Sequence, residues 1–404
     1  MHERLNFLFL NLGHFFDHFF ILIVATVVLS LGPQWGLSYD ELIPYATPCF
    51  VMFGLGAVPA GWLADKWSRE GMMIVFFTGI GAASILAGFA TTPLELGACL
   101  FLVGVFAAIY HPVGIAMVVH GRQKTGMPLA VNGVFGNLGV ASAALAAGFL
   151  IDAAGWQAAF ILPGAVAIAL GAGYALLVWS GRHARAEAIR SGAAARRAAT
   201  GTATLERATV VRVFAIIFLT TAMGSMIFQC MTFALPKVFD ERLAGFATSP
   251  TEVGWWAFVV FAAAAFAQLA VGYLVDRHSA RTVFLFVAGL QAPLFVLIMD
   301  LAGVPALVTA LGFMLLVFGQ IPINDVLVGR ISKSEWRSRA FAARLIVGFG
   351  ISSTAIPLIS FVYREWGFAT LFAIMAGLAA AICFAVSFLP RGGVVLSQQP
   401  AAAE

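Results

Sequence analysis

Charge is what this sequence is short of. Only 10% of its 404 residues are Asp, Glu, Lys or Arg, against about a quarter in an average soluble domain. With 61% hydrophobic residues and a mean hydropathy of +0.95, the chain has too little polar surface to cover a water-soluble globule, and its natural solvent is lipid. Cysteine is scarce as well. Cys49, Cys99, Cys230 and Cys383 each lie inside an apolar run, with no Cys-x-x-Cys pair and no Cys/His ligand spacing. They read as small apolar packing residues, not as a disulfide frame or a metal site. The sequence has no nucleophile–base signature, no His-Glu-x-x-His and no cofactor loop. Gly133, Gly136 and Gly139 repeat every third residue, but no strand precedes them and no Lys-Ser/Thr follows. They read as close helix packing. These absences argue against an enzyme, and neither a cofactor nor a resident metal is expected.

What the chain has instead is long apolar runs. A membrane crossing needs about 20 mostly apolar residues. Twelve candidates occur, at roughly 5–31, 41–63, 71–91, 94–119, 127–152, 156–180, 210–235, 252–275, 281–301, 304–330, 338–363 and 366–389. The first is longer than a signal-peptide core of about 7–15 residues, and it contains Asn11, His14, Asp17 and His18. It is expected to be a retained membrane helix.

Basic residues alternate across these spans. One set of loops holds Arg4, Lys66, Arg69, Arg122, Lys124, Arg182, Arg185, Arg190, Arg196, Arg197, Arg207, Arg212, Arg277, Arg281, Arg330, Lys333, Arg337, Arg339 and Arg391. The opposite set holds only Lys237, Arg242 and Arg364. The positive-inside rule then places both termini and the central loop in the cytoplasm, in a bacterial inner membrane. The net charge of +4 is thereby a topology signal and an attraction to anionic lipid, not a sign of nucleic-acid binding.

The segment 181–209, rich in Ala, Gly and Arg, is the one linker. It separates a six-helix bundle over 1–180 from a second over 210–390, followed by a tail, 391–404. The two bundles look like a duplication. Gly61-Trp-Leu-Ala-Asp65 recurs as Gly272-Tyr-Leu-Val-Asp276, an offset of 211; "VFAAI" at Val105 and "VFGQI" at Val317, and Gly136 and Gly348, keep an offset of 212. A parallel duplication of six spans is one signature of carrier architecture. The fold class expected is an all-α membrane protein of twelve transmembrane helices in two six-helix pseudo-repeats.

At this point the chain resembles the major facilitator superfamily. The stretch Gly61-Trp-Leu-Ala-Asp65-Lys-Trp-Ser-Arg69 is similar to that superfamily's loop motif Gly-x-Leu-Ala-Asp-(Arg/Lys)-x-Gly-Arg, with Ser68 in place of Gly. Within it, "GHFFDH" in the first span and "YHPVG" in the fourth resemble the fosmidomycin-resistance type of efflux carrier, with Val113 where that group has Glu and the span 1 acid shifted by one position. The resemblance implies alternating access around a central cavity lined by spans 1, 4, 7 and 10. It also implies a gating motif, Gly61, Asp65 and Arg69 with Gly272 and Asp276, that holds the halves together on the cytoplasmic side and parts as the carrier switches.

The candidate chemistry lies in buried polar residues, since an acid or base at mid-helix costs about 2.5–3.5 kcal/mol on insertion scales. At 100° per residue, Asn11, His14, Asp17 and His18 fall within an arc of about 120°, which makes a polar stripe on span 1. It reads either as a cavity-lining proton or substrate site or as a polar helix–helix contact. His111 precedes Pro112, where the helix should kink. Asp17, His14, His18 and His111 are the candidates for proton coupling. Asn11, Tyr110, His111, Asn132, Gln229, Gln320, Asn324, Asp325 and Arg344 are the candidates for substrate binding. Arg344 is expected to pair with Asp325, either as a structural ion pair or as part of an anion site. The function expected is a monomeric secondary transporter of a small solute, as proton-coupled efflux. The alternatives are a proton-coupled importer, or an importer of a soft metal held by His14, His18, His111, Met223, Met226, Cys230 and Met231.

Overall fold

A computed structural model describes residues 2–122, 126–190, 207–331 and 337–390. Residues 191–206 of the expected linker, the expected tail 391–404, Lys124 and Lys333 lie outside the described residues. Among the described residues the chain is helical throughout, with no strand.

Ten of the helices are long and apolar enough to cross a membrane. The bent pair Tyr39–Leu55 and Ala57–Lys66, which meet at 42°, adds a crossing. The stretch Ala343–Ser387 runs for 45 residues, about twice what one crossing needs. It turns at Gly367, whose φ of 74° lies in the left-handed region that glycine enters freely, and so contains two crossings. The twelve crossings expected from the sequence are thereby accounted for, and the chain is a multi-pass membrane protein.

Proline and glycine decide where the crossings depart from straight helices. The second crossing begins as the short α2 (Tyr39–Leu42) and a 3₁₀ turn, Ile43–Ala46. It continues as α3 (Thr47–Leu55) and α4 (Ala57–Lys66). Pro44, Pro48 and Pro59 lack the N–H that an unbroken helix needs. The fourth crossing is α6 (Pro93–Ala107), then a π-helical turn over Tyr110–Gly114, then α7 (Ile115–Val119). Pro112 sits inside that turn, so the kink expected after His111 takes the form of a widened loop of helix.

Small residues set the closest approaches. The first crossing, α1 (His2–Trp35), packs along the fifth, α8 (Gly126–Ala154). A Cβ on Gly139 would sit 2.1 Å from the carbonyl oxygen of Phe15, and one on Gly136 would sit 2.6 Å from His14 Nε2. Gly133 has open space instead, so only two of the three spaced glycines serve close packing. Trp156–Arg190 forms α9, which runs into the expected linker through Ala, Arg and Glu, all good helix formers. The second group of crossings comprises α10 (Arg207–Arg242), α11 (Pro250–Arg277), α12 (Ala280–Leu297), α13 (Gly303–Ile331), α14 (Arg337–Ser352) and α15 (Ala355–Ser387).

The two groups touch through α8 and α11, α1 and α10, and α3 and α14. At the membrane end opposite the start of α1, several polar contacts join them. Ser360 Oγ donates to the Asp40 carbonyl at 2.8 Å, the Thr251 amide donates to Asp152 at 2.9 Å, and the Tyr39 and Tyr363 rings lie 5.2 Å apart.

Candidate functional site

The polar stripe of α1 sorts into two neighbourhoods. The first is a closed hydrogen-bond network that ties α1 to the π-turn and to α8. Asn132 Nδ2 donates to Asn11 Oδ1 at 3.0 Å and to Tyr110 Oη at 2.8 Å, and Tyr110 in turn donates to the Leu10 carbonyl at 2.7 Å. His14 joins it: Nδ1 donates to the Asn132 carbonyl at 2.8 Å, and the ring stacks on Tyr110 at 4.9 Å. Asn11, His14, Tyr110 and Asn132 are all buried, and none of them lines the cavity described below.

The second neighbourhood is Asp17. Its side chain is fully buried (0% exposed), and Oδ2 lies 3.2 Å from His111 Nε2. That distance suits an ion pair, yet neither Asp17 oxygen and neither His111 nitrogen has a partner with hydrogen-bond alignment. The contact is therefore electrostatic. An ionised carboxylate with no donor in an apolar interior carries a penalty of several kcal/mol unless a proton or a paired cation neutralises it. The π-turn positions His111 for that task. Its ring also packs against His18 at 5.4 Å, Phe53 at 5.5 Å and Phe349 at 5.1 Å. Phe349 belongs to α14, so the Asp17–His111 pair is in contact with the second group of helices through one aromatic ring.

Beside this pair lies a cavity of about 180 Å³. His18, Ile21, Leu22 and Phe53 wall it from the first half, and α10, α13 and α14 wall it from the second. Of the residues singled out in the sequence, His18, Gln229, Gln320, Asn324 and Arg344 line it. Several are already bonded. Gln320 Oε1 accepts from Gln291 Nε2 at 2.8 Å, Asn324 Oδ1 accepts from Thr220 Oγ1 at 3.0 Å, and Arg344 Nη2 pairs with Asp325 Oδ1. Asp325 does not line the cavity; it stands behind the arginine, 42% exposed.

The sequence did not flag Thr220, Thr221, Ser225 or Thr232, which line the same wall. With Gly224, Phe228 and Gln229 they recur at about one helical turn along α10. Hydroxyls at that spacing were the available signal. Gln291, the partner of Gln320, was also unflagged, although a lone amide in an apolar span is itself informative.

Of the soft-donor set, the histidines cluster and the sulfur donors do not line the cavity. His14, His18 and His111 bring ligand atoms within 4.8 Å of one another, and the bond from His14 Nδ1 to a carbonyl leaves Nε2 as its ligand atom. Cys230 Sγ lies 3.6 Å from Met226 Sδ, and none of Met223, Met226, Cys230 or Met231 is among the lining residues. The residues expected to form a gating motif begin within α4. Arg69 Nη2 pairs with Asp65 at 2.8 Å, with the side chains 38% and 67% exposed. Gly61 faces Pro112 of the π-turn, Gly272 has open space beside it, and Asp276 lies exposed near the end of α11.

Comparison with known proteins adds to this geometry. The sequence profile of the Major Facilitator Superfamily matches residues 10–247 and 217–404. The chain is similar to the gallate transporter of Pseudomonas putida, 25% identical over 157 residues, which is 38% of this chain and 35% of that protein. It is also similar to the niacin transporter of Acinetobacter baylyi, 30% identical over 160 residues, 39% of this chain and 36% of that one. The match thus spans about a third of the length of these curated relatives. Among solved structures, a D-xylose–proton symporter superposes with a TM-score of 0.73 at 14% identity, covering 97% of this chain and 99% of that one. A bacterial homologue of the lysosomal transporter Spinster superposes at 0.71 and 15% identity, covering 96% and 95%.

Proposed function

The chain belongs to the major facilitator superfamily, and from that premise we propose that it is a secondary transporter that carries a small single-ring organic solute together with protons by alternating access. The observation that carries this reading is Asp17, a carboxylate with no hydrogen-bond donor, 3.2 Å from His111 and beside a central cavity. An ionisable group kept inside a membrane at such a penalty is a functional residue by default. Protonation of the Asp17–His111 pair changes the charge between α1 and the π-turn, and Phe349 passes that change to α14.

Symport is favoured over exchange by the layout. Competition between solute and proton for one site is the simplest basis for antiport. Here Asp17 is not among the cavity-lining residues, so both can be bound at once. Export, as expected from the fosmidomycin-type likeness, has only "GHFFDH" and "YHPVG" behind it. The solute size follows from the volume: a cavity of about 150 Å³ accommodates benzene, and this one is about 180 Å³ with a polar wall. The relatives' names, gallate and niacin, denote molecules of that size. In this reading the carrier acts as a monomer, and the basic loops, including the Asp65–Arg69 motif, face the cytoplasm.

The test is reconstitution in proteoliposomes with a pH indicator outside. Adding a transported solute to the outside should make the external medium more alkaline as protons enter with it. External acidification on solute entry would establish antiport instead, and solute flux without any pH change would remove proton coupling.

A further inference from the structure

The buried hydrogen-bonding groups left unpaired among the lining residues all lie in the second half. On the wall formed by the second half, the buried lining atoms without a partner are Thr221 Oγ1, Gln229 Nε2 and Arg344 Nε. Each can donate a hydrogen. None of the first-half lining residues carries a buried unpaired group, and Asp17, whose two oxygens are unpaired, is not a lining residue. A buried donor left without an acceptor costs about 1–3 kcal/mol, so a wall that keeps two obligate donors, Gln229 Nε2 and Arg344 Nε, beside the Thr221 hydroxyl suits an acceptor-rich ligand. Arg344 adds a fixed positive charge. A guanidinium offers five N–H donors in a planar fork; Asp325 engages it at Nη2, and Nε has no partner. The opposing surface is Ile21, Leu22 and Phe53, with Phe228 and Phe349 flanking; these suit the two faces of a flat apolar ring.

We infer that the solute is an organic anion, a carboxylate on a single ring, whose acid group binds the Arg344–Gln229–Thr221 wall while its ring lies against Phe53, Phe228 and Phe349. This rests on the carrier reading above and adds the chemical class and the orientation. Asp325 is then the internal counter-ion that holds Arg344 when no solute is bound. The solute shares the guanidinium with it on the unused edge. α14 also carries Phe349, one helical turn beyond Arg344, so anion binding and the Asp17–His111 pair act on the same helix.

Equilibrium binding to the purified full-length protein in lipid nanodiscs tests this. The probes are acids paired with their neutral amides: benzoate with benzamide, and nicotinate with nicotinamide, plus 4-hydroxybenzoate and cyclohexanecarboxylate. The acid should bind about tenfold or more tighter than its amide, the factor expected of a charge-assisted hydrogen bond. Arg344→Gln combined with Asp325→Asn removes the pair without stranding either charge, and it should bring the acid's affinity down to that of its amide. Arg344→Lys should keep part of it. Equal binding of acid and amide by the wild type, binding of none of these acids, or an acid preference that survives in the double variant overturns the inference. Binding involves no proton flux, so Asp17→Asn should retain the acid preference. Absence of proton coupling in the wild type, with the acid preference intact, overturns only the coupling reading.

Discussion

Asn132 holds more of the site's geometry than any residue that lines the cavity. Its amide donates to both Asn11 and Tyr110, and its carbonyl fixes His14. Replacing it by Ala leaves two buried acceptors unpaired, at about 1–3 kcal/mol each. Asn132→Ala should therefore lower the thermal unfolding midpoint of the purified protein by several degrees while leaving solute affinity within about threefold, since the network does not touch the cavity; a large loss of affinity with unchanged stability would contradict this. The polarity of the α1 stripe was legible in the sequence because Asn11, His14, Asp17 and His18 share one helical face. Its division was not. Which of the four meets Asn132 and which meets His111 depends on residues more than ninety positions away, brought in by packing that no local periodicity records. The α10 hydroxyls were overlooked for a different reason. Ser and Thr satisfy their own helix by donating to a carbonyl three or four residues back, as Thr232 does to Phe228 at 2.8 Å, so in a sequence they pass for packing residues.

At the scale of elements, the α1–α8 contact separates two glycines that look equivalent in sequence. A methyl on Gly139 meets the Phe15 carbonyl at 2.1 Å, whereas one on Gly133 meets nothing within 4 Å. Gly139→Ala should destabilise the protein by about 1–3 kcal/mol through overpacking. Gly133→Ala should be neutral or stabilising by about 0.5–1 kcal/mol, because it removes the entropic weakness of glycine in a helix. Parallel thermal melts of the two variants check the contrast, and equal behaviour would place the helix contact elsewhere. The existence and order of the crossings were legible because length and apolarity set them. The internal breaks were only half legible. Pro112 announced a disturbance, but the π-turn it produces also depends on Tyr110 finding the Leu10 carbonyl. The Gly367 turn looked like a short loop between spans, which at the level of topology it is.

For the whole molecule, the decisive feature is where the halves touch. Polar contacts join them at the end opposite the start of α1, through Asp40–Ser360 and Asp152–Thr251. The Asp65–Arg69 pair at the other end bonds within its own motif. Asp152 accepts both the amide and the hydroxyl of Thr251, charge-assisted bonds of about 1.5–3 kcal/mol. Asp152→Ala should shift the population toward a form open at that end by about tenfold. A cysteine placed at the buried Ser360 (7% exposed) reports it: labelling by a membrane-impermeant thiol reagent should be slow in the parent and several-fold faster with Asp152→Ala. Unchanged labelling would show that these bonds do not hold the closure. The duplication offset of 211–212 residues made the two-part architecture legible in the sequence, because homologous halves keep their Gly and Asp positions. The contacts between the halves had no such signal, since residues that meet across a pseudo-repeat are not repeated ones.

The account turns on Asp17 as the residue that takes the proton. The most direct measurement compares wild type and Asp17→Asn in proteoliposomes by two assays, solute accumulation driven by an imposed pH gradient and solute counterflow without one. Wild type should show both. Asp17→Asn, permanently neutral at that position, should lose gradient-driven accumulation by about tenfold or more while retaining counterflow, because alternating access and solute binding persist when the carboxylate cannot ionise. Undiminished gradient-driven accumulation in Asp17→Asn would contradict the account and leave the buried pair a structural role.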